Sequence, residues 1–140
     1  IETSIETVPP GPFFTRATSG GAGGVPEFSM MLLGWSPSTG ENSGALKPQL
    51  QTFDRDKGTG TANRGRYSNP AMDAVVDEAL RTVDDAKRSE LLVKATIMAI
   101  EDVAWLPLHY QINTWASKAS LKIEARSDET THAMSVTGTP

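Results

Sequence analysis

Gly65-Arg66-Tyr67-Ser68-Asn69-Pro70-Ala71-Met72-Asp73 is the stretch from which the rest of the chain can be read. Asn69 is placed to cap a helix, because its side chain can accept the orphan N–H groups of a first turn. Pro70 then suits the first helical position, where a missing N–H costs nothing. Met72, Val75, Val76, Ala79 and Leu80 follow at i, i+3, i+4, i+7 and i+8. This is one apolar stripe, with Asp73, Asp77, Glu78 and Arg81 on the opposite, solvated face. Asp84 is placed to cap a second helix, whose stripe is Leu91, Leu92, Ala95, Met98 and Ala99. Neighbouring helices with one-sided stripes must pack on something, most simply a sheet.

Downstream, residues 103–110 are apolar and rich in branched or aromatic side chains, and read as a strand despite Pro107. Residues 112–116 continue extended, and residues 121–123 and 133–136 read as short strands. Upstream, residues 1–8 alternate in part and read as a strand with one wet face, ended by Pro9-Pro10-Gly11-Pro12. Phe13 and Phe14 begin a short segment of helical character. Residues 19–24 are a Gly-rich loop. Residues 27–35 are apolar and short, as in a buried strand, and Gly34 to Gly44 is rich in turn residues. A helix is expected over 46–53 and a loop over 54–65. No internal repeat is evident.

The chain has 140 residues, enough for one domain with a core, and 38% of them are apolar. A formal net charge of −4 and the lack of a basic cluster argue against nucleic acid and against an anionic membrane surface. The longest apolar runs, such as Met30-Met31-Leu32-Leu33, are too short to span a bilayer, so no direct membrane insertion is expected. With no cysteine, disulfide and thiolate chemistry are excluded. The opening residues lack the pattern of a secretion signal. A chain opening on Ile1 in mid-strand is expected to be a fragment of a longer protein.

Catalytic patterns are not assembled. Gly60 and Gly65 have the spacing of a phosphate-binding loop, but Arg66-Tyr67 stands where Lys and a hydroxyl residue are required. Gly58-Thr59-Gly60 begins a dinucleotide pattern that Asn63 breaks at its third glycine. His109 and His132 are the only histidines and have no companions at metal-ligand spacing. No nucleophile elbow occurs. Glu101-Asp102 reads as the solvated end of a helix. The expectation is a protein that is not an enzyme and needs no cofactor or metal.

Several pieces, in order, resemble the C-terminal part of family 5 extracellular solute-binding proteins, the peptide and dipeptide receptors of ABC importers. Arg66 to Asp73 resembles the family's RYSNPEVD helix start. Asp84-Asp85-Ala86-Lys87-Arg88 with Leu91 resembles its next helix start. Glu101-Asp102 leading into Leu106-Pro107-Leu108-His109, then Asn113-Thr114-Trp115-Ala116 and Arg126-Ser127-Asp128-Glu129, continue the likeness. Gly34-Trp35 resembles the family's GW before its cleft loop. The similarity runs along nearly the whole chain.

The resemblance implies an α/β fold: part of the C-terminal lobe of a two-lobed periplasmic binding protein, a sheet flanked by helices. Residues 1–108 would belong to that lobe, and 109–140 would form the crossover and a tail returning to the N-terminal lobe. It implies a periplasmic or membrane-associated extracellular bacterial receptor. Its partners would be a small-molecule or peptide ligand and the membrane permease of an ABC importer. His109, Tyr110 and Gln111 would lie at the crossover, where Tyr110 either contacts ligand or packs between lobes. In peptide-binding relatives an Asp shortly after the Trp pairs with the ligand's α-amino group. Here Ser38 stands at that place, a hydroxyl without counter-charge. Losing one member of a buried charged pair costs about 2–5 kcal/mol. Either Glu41 supplies the charge, or the ligand lacks a free amine, and Glu41 alternatively serves a helix N-terminus. Asn63 and Arg64 lie in a loop that approaches ligand in relatives. Arg64 either clamps a carboxylate or sits in solvent, and Trp35 either stacks on ligand or is covered by its loop. The competing readings are a sensor or chaperone-like derivative of the same lobe and, further off, a hydrolase using His109.

Overall fold

The computed structural model describes residues 2–37, 40–126 and 128–138. The chain divides into two units, Ile1–Leu106 and Pro107–Pro140. Ser38, the expected amine partner, lies outside the described residues, as does Ser127.

The first unit is built on helices. Asn69 Oδ1 accepts from the N–H groups of Ala71 at 3.0 Å and Met72 at 3.1 Å, which opens α3 (Pro70–Arg81) as its sequence requires. Asp84 Oδ1 accepts from Lys87 N at 2.7 Å and opens α4 (Asp85–Glu101). The turn between them is short, so the two form a helical hairpin. Met72, Val76 and Ala79 of α3 meet Leu92, Ala95 and Ala99 of α4, and Leu46 and Leu50 complete the buried cluster. Three alanines in that seam let the backbones approach closely. Each larger apolar side chain removed from water contributes about 1.5–3 kcal/mol.

Leu46 belongs to α2 (Ser43–Gln49), which begins and ends earlier than the expected 46–53. Pro48 lies inside its last turn and donates no hydrogen bond, so the helix stops there. The carbonyls left over at this end are used by the returning loop: Gly60 N donates to Lys47 O at 3.1 Å and Ala62 N to Pro48 O at 2.7 Å. Gly60 makes that contact possible. Its φ is +59°, and a Cβ there would stand 2.4 Å from the Gln51 carbonyl oxygen.

The remaining helix, α1 (Pro10–Ser19), starts on the proline run that was expected only to end a strand. Pro10 takes the first helical position, so the same residues act as a helix start. Arg16 on α1 holds its surroundings. It donates to Glu6 at 2.7 and 3.0 Å and to Glu27 at 2.6 and 2.9 Å, with Phe28 under its guanidinium.

The expected sheet beneath the helices does not form among the described residues of this unit. Residues 2–8, 27–35 and 103–106 are extended or irregular, not strands. Met30 and Leu32 are 78% and 76% exposed where a buried strand was expected. A strand needs a neighbour for its backbone groups. Without one, the helical stripes bury one another instead. α4 ends at Glu101 with Asp102 as its C-cap, and Val103 follows in the left-handed region at φ +56°.

In the second unit, residues 107–116 are likewise not strands, so the expected strand across 103–110 is absent on both sides of the division. β1 (Leu121–Ile123) forms as expected and pairs antiparallel with β2 (Val136–Gly138), in the register Leu121↔Gly138, Lys122↔Thr137, Ile123↔Val136. The expected strand at 133–136 begins instead as a 3-10 turn, Ala133–Ser135, and the ladder starts only at Val136. The described residues thus combine four α-helices with one two-stranded antiparallel sheet.

Candidate functional site

Two of the expected ligand residues converge on the first turn of α2. Trp35 Nε1–H donates to Gly44 O at 3.1 Å, which fixes the indole while leaving it partly exposed. Glu41 accepts from Ser43 Oγ at 2.7 Å, and both its oxygens accept from Arg88 of α4, the Nη2 bond being 2.6 Å. Arg88, followed by the Ser43 hydroxyl, holds the Glu41 carboxyl below its ordinary value. Glu41 thus makes an ion pair with a side chain on another helix, while Asn42 stands at the N-cap of α2 with no side-chain capping hydrogen bond. Beside this pair runs an open groove of about 560 Å³, between Gly40–Asn42 and the α4 residues Asp85, Leu92 and Ile97 among others. Two of its lining residues are joined, Asn42 Nδ2 donating to Thr96 Oγ1 at 2.6 Å.

Asn63 is 3% exposed and works as a bracket. Its Nδ2 donates to Gln51 O at 3.0 Å and Tyr67 O at 2.7 Å, and its Oδ1 accepts from Tyr67 N at 3.1 Å. Those bonds fold the 54–65 loop against the start of α3. Arg64, next in sequence, places its guanidinium 5.0 Å from the Phe14 ring centroid and donates through Nη1 to Ala62 O at 3.3 Å. His109 and Tyr110 belong to the second unit. Tyr110 is fully exposed. Neither residue lines the shallow polar pocket of about 330 Å³ formed by residues 111–115 and Glu129.

Several polar residues read from sequence as solvated are engaged instead. Asp73 Oδ1 accepts from Thr52 N at 3.0 Å, and its Oδ2 from Thr52 Oγ1. Asp77 accepts from the buried Gln51 Nε2 at 2.9 Å. Asp102, expected at a solvated terminus, accepts from Tyr67 Oη at 2.6 Å and Asn69 Nδ2 at 2.7 Å. Tyr67, then Asn69, lowers its carboxyl below the usual value. One latch thus ties the cap of α3 to the end of α4. Arg88 and Arg66 were read from sequence only as parts of helix-start motifs, and Phe53 was given no role. Their signal is a contact between distant segments, which periodicity does not carry. No group of three or more metal-ligating side chains occurs among the described residues. No helix among the described residues is long and apolar enough to cross a membrane.

The chain is similar to di/tripeptide-binding protein 4 of Pseudomonas aeruginosa, 26% identical over 110 residues, covering 79% of this chain and 19% of that protein. It is 31% identical over 86 residues to the periplasmic oligopeptide-binding protein OppA of Salmonella typhimurium, covering 61% of this chain and 14% of OppA. It is 33% identical over 79 residues to the glutathione-binding protein GsiB of Escherichia coli K12, covering 56% of this chain and 15% of GsiB. The chain therefore spans less than a fifth of the length of these relatives. No family model matches it, and no solved structure matches it significantly.

Proposed function

We propose that this chain, similar to the family 5 solute-binding proteins of periplasmic ABC importers, takes part in capturing a small solute and presenting it to a membrane permease. The observation that carries this is the similarity to three differently named peptide and glutathione receptors, over 56–79% of the chain. The ligand class we infer is a peptide or peptide-like molecule. Such capture requires no bond making: binding need only favour one arrangement of the receptor over another. Residues 1–108 are proposed to belong to one lobe and 109–140 to cross back to the other. Trp35, Ser38, Glu41, Asn63, Arg64, His109 and Tyr110 remain the proposed ligand-facing set, with roles sharpened by their contacts. Glu41 already carries the Arg88 charge, so it serves an incoming amine only by sharing that carboxylate. Asn63 shapes the loop, and Arg64, half-buried, lies over the Phe14 ring. An exposed Tyr110 suits an element awaiting a ligand or a neighbouring lobe.

Native mass spectrometry on the full-length protein carrying this sequence, purified from the periplasm, tests the reading. A small molecule retained under native conditions and released on denaturation is expected, and its mass identifies the ligand class. An apo mass, together with no thermal shift across di- and tripeptides and glutathione, overturns solute capture in favour of a sensor or chaperone-like role.

A further inference from the structure

Residues 28–36 make no backbone hydrogen bond, as donor or acceptor, among the described residues. Backbone N–H and C=O groups are strong hydrogen-bonders that seek partners. The segment is held at two points. The Phe28 ring stacks on Phe13 with centroids 5.6 Å apart and has the Arg16 guanidinium 4.8 Å from its centre. Trp35 Nε1 donates to Gly44 O. Between these anchors a bend stands at Ser29, and the chain then runs on without turn or bend through residues 30–34. Met30 and Leu32, on one side of that run, are the most exposed of its side chains, and Leu33, on the other side, is also exposed. Folded proteins guard an open strand edge with a lysine, a proline or a bulge. Met30-Met31-Leu32-Leu33-Gly34 carries no charge and no proline.

The run's own features choose its partner. A net charge of −4 keeps copies of this chain apart, but residues 28–36 are uncharged, and the adjacent Glu27 is paired with Arg16 at 2.6 Å. The run is apolar on both sides, so a partner strand with one wet face would leave half of it uncovered; a second copy is apolar on both sides as well. Side chains alternate along a strand, so two copies related by a two-fold axis must pair about a single residue. Pairing about Leu32 sets Leu32 against Leu32 and Met31 against Leu33. It also sets Met30 against Gly34, where the missing side chain leaves room for the longer one. Each contact across the ladder is then apolar, which is how paired strands gain stability.

We propose that residues 30–34 are a self-association surface, pairing antiparallel about Leu32 with the same run of a second copy. The inference makes no use of the solute-capture reading, so either can fail alone.

The test uses the 140-residue chain, which has no native cysteine. In sedimentation from micromolar to millimolar concentration, the mass should rise from 15.0 kDa to at least twice that value. Leu32→Lys sets two like charges directly opposite one another and should stay at 15.0 kDa throughout. Its urea midpoint at 222 nm should match that of the unassociated parent chain, because the position is exposed. Single cysteines report the register. Leu32→Cys should link to itself rapidly under mild oxidation, since directly opposed residues lie within disulfide reach. Met30→Cys is equally exposed and on the same side, but its two copies would stand about 14 Å apart along the ladder and should link far more slowly. A parent chain that stays at 15.0 kDa, or a Leu32→Lys variant that associates as the parent does, overturns the proposal. Equal linking of the two cysteine variants overturns the antiparallel pairing about Leu32.

Discussion

Replacing Asn63 separates a bracket from a ligand contact. In Asn63→Ala the carbonyls of Gln51 and Tyr67 and the Tyr67 N–H each lose a partner. A net hydrogen bond is worth about 0.5–1.5 kcal/mol, and a buried group left unpaired costs about 1–3 kcal/mol. Tyr67 is only half-buried, and water can reach part of what is lost, so the expected loss is about 3 kcal/mol. The four α-helices of the described residues lie in the first unit, so ellipticity at 222 nm during urea unfolding reports on it. With a slope of about 2 kcal/mol per molar, the midpoint should fall by about 1.5 M. Asn63→Asp adds a second axis. It retains an acceptor for Tyr67 N but turns a carboxylate oxygen toward two carbonyls. Burial and those carbonyls raise the carboxyl's pKa in the folded state, so its destabilisation should deepen as pH rises through the ordinary carboxylate range. A midpoint shift in Asn63→Ala corresponding to less than about 1 kcal/mol would show that the bracket does not hold the loop, and would return Asn63 to a purely ligand-facing role.

Five further outcomes are expected. Met72→Ala should cost about 2–5 kcal/mol, because Met72 is fully buried between the helices, whereas Val93→Ala on the exposed face of α4 should change stability by less than about 0.5 kcal/mol in the same urea experiment. Asn69→Ala removes the cap of α3 and should cost about 1 kcal/mol, seen as early loss of protection at the Ala71 and Met72 amides in hydrogen exchange. Val103→Gly should stabilise the chain by about 0.5–1 kcal/mol, because glycine takes the left-handed position ending α4 without strain. Glu41, Asp54 and Asp102 are all held below their ordinary values, by Arg88, by the Lys57 N–H and by Tyr67 respectively. Depressed folded values give stabilisation that is full above the ordinary carboxylate range and lost as pH falls through the folded ones. The melting temperature should hold from neutrality to about pH 5 and drop below about pH 4. In the second unit the Asp128 carboxyl, held by Arg126, should titrate at about 2 by NMR.

Some of this was legible before any coordinates. Asn69 and Asp84 are capping residues whatever surrounds them, since a cap needs only its own helix. The stripes Met72-Val76-Ala79 and Leu92-Ala95-Ala99 follow from the helical period, and β1 follows from a short branched run. The resemblance to solute-binding proteins was legible for the same reason, as an ordered set of helix starts and turns. That resemblance also named Asn63, Glu41 and Arg64 as residues worth attention.

What those stripes would pack against was another matter. The period says which side of a helix is apolar, and it is silent on whether a sheet or another helix covers it. Residues 27–35 have strand composition but find no partner strand among the described residues, so composition alone did not make them a strand. Tertiary structure likewise assigned the work of each polar residue. It placed Arg88 on Glu41 across 47 positions, Tyr67 on Asp102 across 35, and Gln51 on Asp77 across 26. Local sequence fixes which elements begin and end, because those choices are settled by groups a few residues apart. The partners of charged and amide side chains are settled by packing, which brings together segments that the sequence keeps apart.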